Sequence, residues 1–254
     1  MSQYDPTADV AAERGVSWPS NGISDVPFRV YTDQGQYDRE QENLFQGPTW
    51  NYLCLDVELE KPGDFVSTTV GEVAVIVVRG QDGAINAFVN RCVHRGNLLC
   101  MKRQGNVRKF TCMYHGWTFD LEGQLTGVSF EQGIQNQGGM PPEFRKDEHA
   151  LRRLRVEVLG GLVFGTFSDS VPDLQSWLGP DVTRGLLRVM NRTPHVLGRN
   201  TQVLPNNWKL YIENVKDTYH ASILHLFLTT FKINKLTMPG GVYINEDGGN
   251  HYTF

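Results

Sequence analysis

The sequence predicts an α+β protein in which a small all-β domain precedes a region that contains helices. Four short β-rich runs between residues 50 and 90 are separated by turns that contain Gly, which is typical of antiparallel sheets. Residues 206–227 contain no Gly or Pro, and their apolar residues recur at helical intervals. Two Cys/His pairs lie between these regions and indicate a metal site.

The composition is that of an ordinary globular chain and argues against two classes of partner. With 254 residues the chain can bury a sizeable core and hold two domains. Its net charge of −4 provides no basic field for nucleic acid. No apolar run approaches the length of about 18 residues that a membrane helix needs. Cysteines that alternate with histidines are typical of metal binding in a reducing compartment, so we expect a cytoplasmic protein.

The chain is predicted to divide into three parts. Residues 1–49 should form an N-terminal arm, loosely ordered up to residue 25, and a short surface helix over the charged residues 37–45. The β-rich runs assign residues 50–170 to one all-β domain, with the last two strands joined at Gly160-Gly161. Residues 171–254 begin a second domain.

The second domain is expected to open with two short helices that start near Asp173 and Asp181. A strand over residues 195–205 and a helix that begins near residue 206 should follow.

The central candidate site consists of Cys92-x-His94 and Cys112-x-x-His115, which are separated by seventeen residues. Each pair offers one thiolate and one imidazole. A structural Cys₂His₂ zinc site and a [2Fe–2S] cluster with two cysteines on one iron and two histidines on the other both fit this set. Zinc fingers usually separate a Cys pair from a His pair, so the mixed pairs favour the iron–sulfur cluster.

These residues carry a resemblance to a known family. C-x-H-R-G followed by C-x-Y-H-G-W resembles the Rieske-cluster motif of the aromatic ring-hydroxylating oxygenases. The resemblance implies that Cys92 and Cys112 bind one iron and that His94 and His115 bind the other. Cys54 and Cys100 lie outside the motif and are expected to be small buried residues.

A second constellation is Asp217-x-x-His220-x-x-x-x-His225. On a straight helix Asp217 and His220 would share a face. His220 and His225 would lie about 140° apart around the helix axis, so a common metal requires a helix end or a distortion between them.

The segment around these residues, NWKLYIENVKDTYHASILH, resembles the start of the iron-binding segment in the catalytic domain of the same oxygenases. The resemblance implies that His220 and His225 bind a mononuclear Fe(II). It also implies that Asp217 bridges to a Rieske histidine, His115, of a neighbouring subunit, and that Asn214 lies near the iron.

The resemblance places the third iron ligand, a carboxylate, far beyond the end of this chain. Glu246 and Asp247 are the only later acids, and they lie in a Gly-rich turn. We therefore expect a truncated subunit that carries a coloured Rieske centre but shows no oxygenase turnover. The nearby cations Lys209, Lys216, Lys232 and Lys235 are expected to be exposed for the most part, and none is assigned to the substrate.

The resemblance covers residues 26–251 and implies a fold and an activity. The fold is a Rieske domain followed by the beginning of a helix-grip catalytic domain. The activity is cis-dihydroxylation of an aromatic carboxylate by O₂, with electrons from NAD(P)H delivered by a reductase, with or without a ferredoxin. Terephthalate is the favoured substrate, and salicylate and anthranilate are alternatives. A homotrimer or an α3β3 assembly is implied.

Two functions from other classes stay open at this point. A Rieske electron carrier without oxygenase activity would end near residue 170 and would not need residues 204–225. A zinc-binding structural module would contain zinc and no acid-labile sulfide.

Overall fold

A computed structural model describes residues 16–18, 25–217, 220, 224–233, 235, 241–244 and 251–253. The chain divides into two compact units. The first, called the β unit, contains residues 43–200 and 241–252. The second, called the helical unit, contains residues 1–42, 201–240 and 253–254.

The β unit is built from antiparallel sheets. Its strands are β1 (Asn51–Leu55), β2 (Asp64–Val70), β3 (Val73–Arg79), β4 (Ile85–Val89), β5 (Gln104–Asn106), β6 (Phe110–Thr111), β7 (Thr118–Phe119), β8 (Leu125–Gly127), β9 (Arg153–Leu159) and β10 (Leu162–Thr166). A seven-stranded sheet has the order β1-β10-β9-β4-β3-β2-β5, and a three-stranded sheet has the order β6-β7-β8. The strands predicted between residues 50 and 167 are confirmed, whereas the sequence does not predict the polar strand β5.

Strand β3 shows that the large sheet is covered on both faces. Its side chains alternate, as the two-residue period of a strand requires. Ile76 and Val78 pack in a buried cluster that also contains Cys92 and Cys112. The alternate residues Val75 and Val77 pack in a second buried cluster. The two site cysteines are therefore part of the core on one face of this sheet.

The small sheet packs on the same face as the site cysteines. Phe110 of β6 makes edge-to-face contacts with Phe65 and Phe88 of the large sheet, with ring centroids 5.5 and 5.7 Å apart. Phe119 of β7 and Leu125 of β8 are buried in the same cluster. This packing fixes the small sheet, and with it the loop between β6 and β7, against the rigid large sheet.

The last elements of the β unit confirm the predicted helix pair. Helix α3 (Leu174–Val189) begins after Asp173, whose side chain accepts a hydrogen bond from the Ser176 N–H. The helix is interrupted at Gly179, which has a φ of 76°, and Pro180 follows. It therefore consists of two short helical pieces.

The predicted strand over residues 195–205 is wrong. The structure shows no regular secondary structure there, and Leu197 and Val203 are almost fully exposed. A strand needs a neighbouring ladder to satisfy its backbone groups, and this segment has none within the described part of the chain.

The helical unit contains α1 (Arg29–Thr32), α2 (Gln34–Glu40), α4 (Trp208–Lys216) and α5 (Leu226–Thr230). A π-helical turn, Gln41–Phe45, follows α2 in the chain. Strands β11 (Val242–Ile244) and β12 (His251–Thr253) pair with each other. No helix in the described ranges is long and apolar enough to cross a membrane. The predicted arm over residues 1–25 lies almost entirely outside the described residues, and the helix-grip sheet stays a prediction.

The expected surface helix over residues 37–45 is only partly correct, because its centre is buried. The carboxylate of Glu40 is 5% exposed and binds the Lys209 ammonium at 2.6 and 2.8 Å. It also accepts hydrogen bonds from the Trp208 indole N–H at 3.0 Å and from the Gln36 amide at 2.8 Å. The expectation that most of the four lysines are exposed is confirmed, because Lys216, Lys232 and Lys235 are exposed and only Lys209 is partly buried.

We expect Lys209→Met to destabilise the helical unit by about 3–5 kcal/mol, because it leaves the buried Glu40 carboxylate without its cation. The double variant Glu40→Leu/Lys209→Met should recover most of that loss, since an apolar pair leaves no unpaired charge. Urea unfolding of the single and double variants measures both effects. Equal losses in the two variants would show that the ion pair is not the cause.

The same ion pair should make stability depend on pH. Burial alone would raise the pKa of Glu40, but hydrogen bonds from Lys209, Gln36 and Trp208 outweigh it and hold the pKa below its ordinary value of 4.5. The stabilisation is thus fully present above pH 4.5 and is lost as the pH falls through the lower pKa of the folded state. In Lys209→Met the loss of folding stability at acidic pH should be smaller than in the wild type.

Candidate metal centres

The two Cys/His loops have the same backbone hydrogen bonds. In each loop the cysteine N–H donates a hydrogen bond to the carbonyl of the residue five positions later. The N···O distance is 2.8 Å both from Cys92 to Asn97 and from Cys112 to Trp117. Gly96 and Gly116, four residues after the cysteines, donate their N–H groups back to the cysteine carbonyls at 2.8 and 2.9 Å. Both glycines have a left-handed φ, 71° and 69°, which favours Gly. The shared C-x-x-x-G spacing thus folds two equal turns at one end of the β unit.

The second loop directs hydrogen-bond donors at the sulfur of Cys112. Burial opposes the thiolate of Cys112, but backbone N–H groups of Tyr114 and His115 and the Cys92 thiol donate to it. The Asn97 amide nitrogen adds a contact of 3.8 Å to the same sulfur. These donors outweigh burial and lower the pKa of Cys112, so this thiol is the more readily ionised of the two.

The cysteine of the first loop also has backbone N–H groups directed at its sulfur. Backbone N–H groups of His94 and Arg95 point at the sulfur of Cys92. Burial and the adjacent Cys112 nevertheless raise the pKa of Cys92. Of the two sulfurs, that of Cys112 therefore loses its proton more readily, and a bound cation would favour the thiolate form of both.

The two histidine rings lie beside each other and are held by aromatic neighbours. The centroids of His94 and His115 are 4.7 Å apart. His94 stacks on Trp117 with a centroid distance of 4.8 Å and an interplanar angle of 7°, and His115 stacks on Tyr114 at 3.8 Å. Desolvation, His115 and Arg95 lower the pKa of His94. A neutral imidazole keeps the lone pair that a metal requires.

The donor set divides into two sulfurs and two imidazoles. Within the described ranges no three His, Cys, Asp or Glu side chains converge on one point as a single metal ion would require. A structural zinc ion needs four such ligands around it. A Rieske cluster needs only two protein ligands on each iron, because sulfides complete both coordination spheres. The observed pairing of sulfur with sulfur and of imidazole with imidazole is the one that a [2Fe–2S] cluster with two cysteine and two histidine ligands requires.

Asn90 is a site residue that the sequence analysis missed. Its buried side-chain oxygen accepts the N–H groups of Leu99 and Cys100 at 3.1 and 2.8 Å, and its amide donates to the Cys100 carbonyl at 2.7 Å. Asn90 thereby closes the first loop onto the end of β4. An Asn two residues before the first cysteine is the available signal, since Asn commonly bonds nearby backbone groups.

We expect Asn90→Ala to cost about 3 kcal/mol of stability and to speed the release of iron, because three buried backbone groups lose their partner. Asn106→Ala is the matched control. Asn106 is exposed and hydrogen bonds to Pro62 and Asp64, so its loss should cost less than about 1 kcal/mol. Thermal unfolding and iron-release kinetics compare the two, and similar losses would contradict the role of Asn90.

The other two cysteines differ in environment. Cys54 is buried in the second core cluster, and desolvation raises its pKa to about 12. The expectation that Cys100 is buried is wrong, because this residue is partly exposed and its thiol donates to the Lys102 carbonyl at 3.6 Å.

The second candidate centre lies at the end of α4, in the helical unit. The helix ends at Lys216, and Asp217 follows in an extended conformation with a ψ of 104°. The Asp217 carboxylate contacts His220 Nδ1 at 3.1 Å, and the Asn214 amide lies 3.4 Å from His220 Nε2. His225 immediately precedes α5, with its ring centroid 5.2 Å from that of His220.

His220 and His225, five positions apart, do not lie on one straight helix, because α4 ends at Lys216. Asp217 and His220 do not share a helix face, as the straight helix predicted, but meet beyond the last turn. Asn and Asp compete with helical hydrogen bonds through their side chains, which favours a helix end here. Beyond this helix end the ring centroids of His220 and His225 lie 5.2 Å apart. Glu246 and Asp247 lie outside the described residues.

The similarity to known proteins covers almost the whole chain. A Rieske [2Fe–2S] domain matches residues 49–137. The alpha 2 subunit of the terminal oxygenase component of terephthalate 1,2-dioxygenase from Comamonas sp. is 49% identical over 94% of this chain and 58% of that protein. The large subunit of anthranilate 1,2-dioxygenase from Burkholderia cepacia is 47% identical over 93% of this chain and 56% of that protein. The large oxygenase component of salicylate 5-hydroxylase from Ralstonia sp. is 44% identical over 84% and 52%.

A solved structure extends the similarity to the fold. Naphthalene 1,2-dioxygenase from Rhodococcus sp. bound to indole has a TM-score of 0.74 and 29% identity, and the match covers 87% of this chain and 50% of that chain. The chain spans about half the length of the curated relatives it matches.

Proposed function

The chain belongs to the alpha subunits of the Rieske ring-hydroxylating oxygenases. We propose that it is part of the alpha subunit in the oxygenase component of an aromatic-carboxylate dioxygenase. The reaction is the cis-dihydroxylation of the aromatic ring by O₂. The electrons come from NAD(P)H through a reductase, with or without a ferredoxin. The protein works in the cytoplasm, where cysteines stay reduced.

The observation that carries this proposal is the division of the first centre into two sulfurs and two imidazoles. Cys92 and Cys112 hold one iron of the [2Fe–2S] cluster, and His94 and His115 hold the other. The neutral His94 ring stacks flat on Trp117, which fixes the plane in which it presents its lone pair. The N–H groups directed at both cysteine sulfurs stabilise the negative charge of the ligands.

The second centre provides the place where oxygen is used. His220 and His225 bind a mononuclear Fe(II), and Asp217 orients His220 through its contact with Nδ1. Asn214 lies beside the same imidazole. When bound, the cluster supplies single electrons and the mononuclear iron supplies the position where O₂ is activated.

Electron transfer between the two centres requires a second copy of the chain. Asp217 contacts His115 of a neighbouring subunit, and its carboxylate connects that imidazole with His220. A head-to-tail contact of this kind closes into a ring, so the assembly is a homotrimer or an α3β3 complex.

Terephthalate is the favoured substrate because the relative that acts on it is 49% identical over 94% of the chain. Anthranilate and salicylate are the alternatives, since relatives named for them are 47% and 44% identical. The similarities to the anthranilate and salicylate enzymes extend well beyond the Rieske domain of residues 49–137. This extent argues against a stand-alone electron carrier.

Two measurements test the proposal. Iron and acid-labile sulfide should be present in equal amounts in the cluster, with the visible absorption of a Rieske centre. Colourless protein that contains zinc alone would refute the assignment. Product analysis with the reductase across terephthalate, anthranilate, salicylate and benzoate then identifies the substrate, and the absence of any oxygenated product in the complete enzyme system would refute the oxygenase role.

A further inference from the structure

Trp117 connects His94 with two rings from a later part of the chain. The indole of Trp117 is buried and is stacked on His94 at an interplanar angle of 7°. Phe144 and His149 contact the same indole edge to face, with centroid distances of 5.7 and 5.5 Å and interplanar angles of 69° and 73°. The rings of Phe144 and His149 lie 4.7 Å from each other. A proposed iron ligand is thus linked to this pair of rings through a single side chain.

His94 is exposed to solvent, so the orientation of its ring depends on the rings that lie against it. Its described ring contacts are with Trp117 and His115. A flat stack on an indole holds the imidazole in one plane only if the indole is itself fixed. Two rings nearly perpendicular to the indole plane oppose its rotation in a closely packed core. The orientation of His94 therefore depends on Phe144 and His149 through Trp117.

The segment that carries these two rings, residues 144–151, is called the brace, and it is tied to the β unit at two places. Lys146 Nζ binds both carboxylate oxygens of Glu131 at 2.9 Å. The Leu151 N–H donates to the Gly123 carbonyl at 2.8 Å, and the Leu151 side chain is buried in the core cluster that contains the site cysteines. The brace is therefore fixed to the same core as the cysteines.

The imidazole of His149 has a fixed orientation and a fixed tautomer. Its Nδ1 lies 2.7 Å from the Arg145 carbonyl oxygen. A carbonyl oxygen only accepts hydrogen bonds, so Nδ1 carries the proton and donates. The His149 backbone N–H also donates, to the Lys146 carbonyl at 3.0 Å. These two bonds hold the ring against Trp117.

Core packing is the simpler explanation for part of the brace. It accounts for Phe144, which is half-buried against the core cluster. It does not account for His149, where an aliphatic side chain would fill the same space without a polar ring to satisfy. The brace also lies outside residues 49–137, the range that a Rieske domain matches. The matched domain contains the four proposed ligands but not this support.

We propose that Phe144 and His149 are positioning residues for the first metal centre. They hold the indole of Trp117, and the indole holds the plane of His94, so that the imidazole presents its lone pair in one direction. The inference rests on the proposed function, because it concerns a ligand of the cluster. Both residues act through Trp117, and their role requires no change of charge or protonation.

His149→Leu tests the proposal in the 254-residue chain with its cluster assembled. We expect the loosened indole to let His94 adopt several orientations. The EPR spectrum of the dithionite-reduced protein should therefore show broadened features, and a chelator should remove iron about tenfold faster than from the wild type. Phe144→Leu should act in the same direction, and it carries the test if His149→Leu does not fold. Wild-type line widths and a wild-type release rate would overturn the proposal.

Two comparison variants separate positioning from a general loss of stability. His149→Phe replaces one flat ring by another, so it should restore narrow EPR features and slow iron release. His195→Leu is the matched control, with the same exchange at an exposed histidine of the β unit, and should leave both measurements unchanged. Equal broadening in His149→Leu and His149→Phe, or in His149→Leu and His195→Leu, would overturn the role of the His149 ring.

The outcomes separate this inference from the proposed function. Wild-type protein without iron and sulfide refutes the proposed function and the positioning role together. Wild-type protein with the absorption of a Rieske centre, together with brace variants that match it in line width and iron release, refutes only the positioning role.

Discussion

Cys112→Ser is expected to reduce bound iron and sulfide to less than about a tenth of the wild-type content and to remove the visible absorption. Cys112 is buried, and backbone N–H groups of Tyr114 and His115 stabilise its thiolate. Serine would present a hydroxyl that ionises far less readily than a thiol, so one iron would lose half of its protein ligands. Iron and sulfide analysis with the absorption spectrum measures the effect.

Cys100→Ser is the matched control because Cys100 lies in the same segment but outside the motif. Its thiol contacts the Lys102 carbonyl, a bond that a serine hydroxyl can replace. This variant should keep its colour and its iron. Equal iron contents in the two variants would show that Cys112 is not a ligand.

In the full-length enzyme, Asp217→Ala is expected to slow reoxidation of the cluster during turnover by at least about tenfold while both metal centres stay occupied. The carboxylate is the group through which we connect His220 with His115 of the neighbouring subunit. The measurement is a single turnover of the reduced oxygenase with O₂ and substrate, followed at the cluster absorption. A wild-type rate in protein with both centres filled would refute the bridge.

Two further variants separate this role from simple loss of iron. Asp217→Asn keeps an oxygen that can accept from His220 Nδ1, so it should retain the mononuclear iron yet still slow the transfer. Glu213→Ala removes an acid one helical turn earlier on α4 and should leave the rate unchanged. Equal slowing by Glu213→Ala would assign the effect to the charge of α4 and not to Asp217.

The strands of the β unit and the turns of the two Cys/His loops could be predicted closely because their signals are local. The two-residue alternation of β3 and the glycines at the turns follow from backbone geometry, which a short stretch of sequence already specifies. The C-x-x-x-G spacing of both loops likewise determines their turns. Strand β5 escaped prediction because it is polar and is recognised only by its hydrogen bonds to β2.

Errors occurred where distant residues decide the structure. The charges of Glu40 and Lys209 look like ordinary exposed helix charges, but they are 169 positions apart in sequence and form a buried ion pair. The apolar residues of 195–205 suggested a strand, yet a strand exists only when a neighbour accepts its hydrogen bonds. Neither outcome could be read from a local pattern.

The sequence by itself determined which atoms are offered to the metals, two thiols and two imidazoles in one region and two further histidines beside Asp217 in the other. Only the tertiary structure decided how they group. Core packing of the small sheet on the large one brings two distant loops together, so that sulfur lies beside sulfur and imidazole beside imidazole. At the second centre α4 ends at Lys216, and this break brings His220 within 5.2 Å of His225. The sequence specifies which side chains are candidate ligands. Whether these side chains come together depends on where the helices and strands end and how they pack.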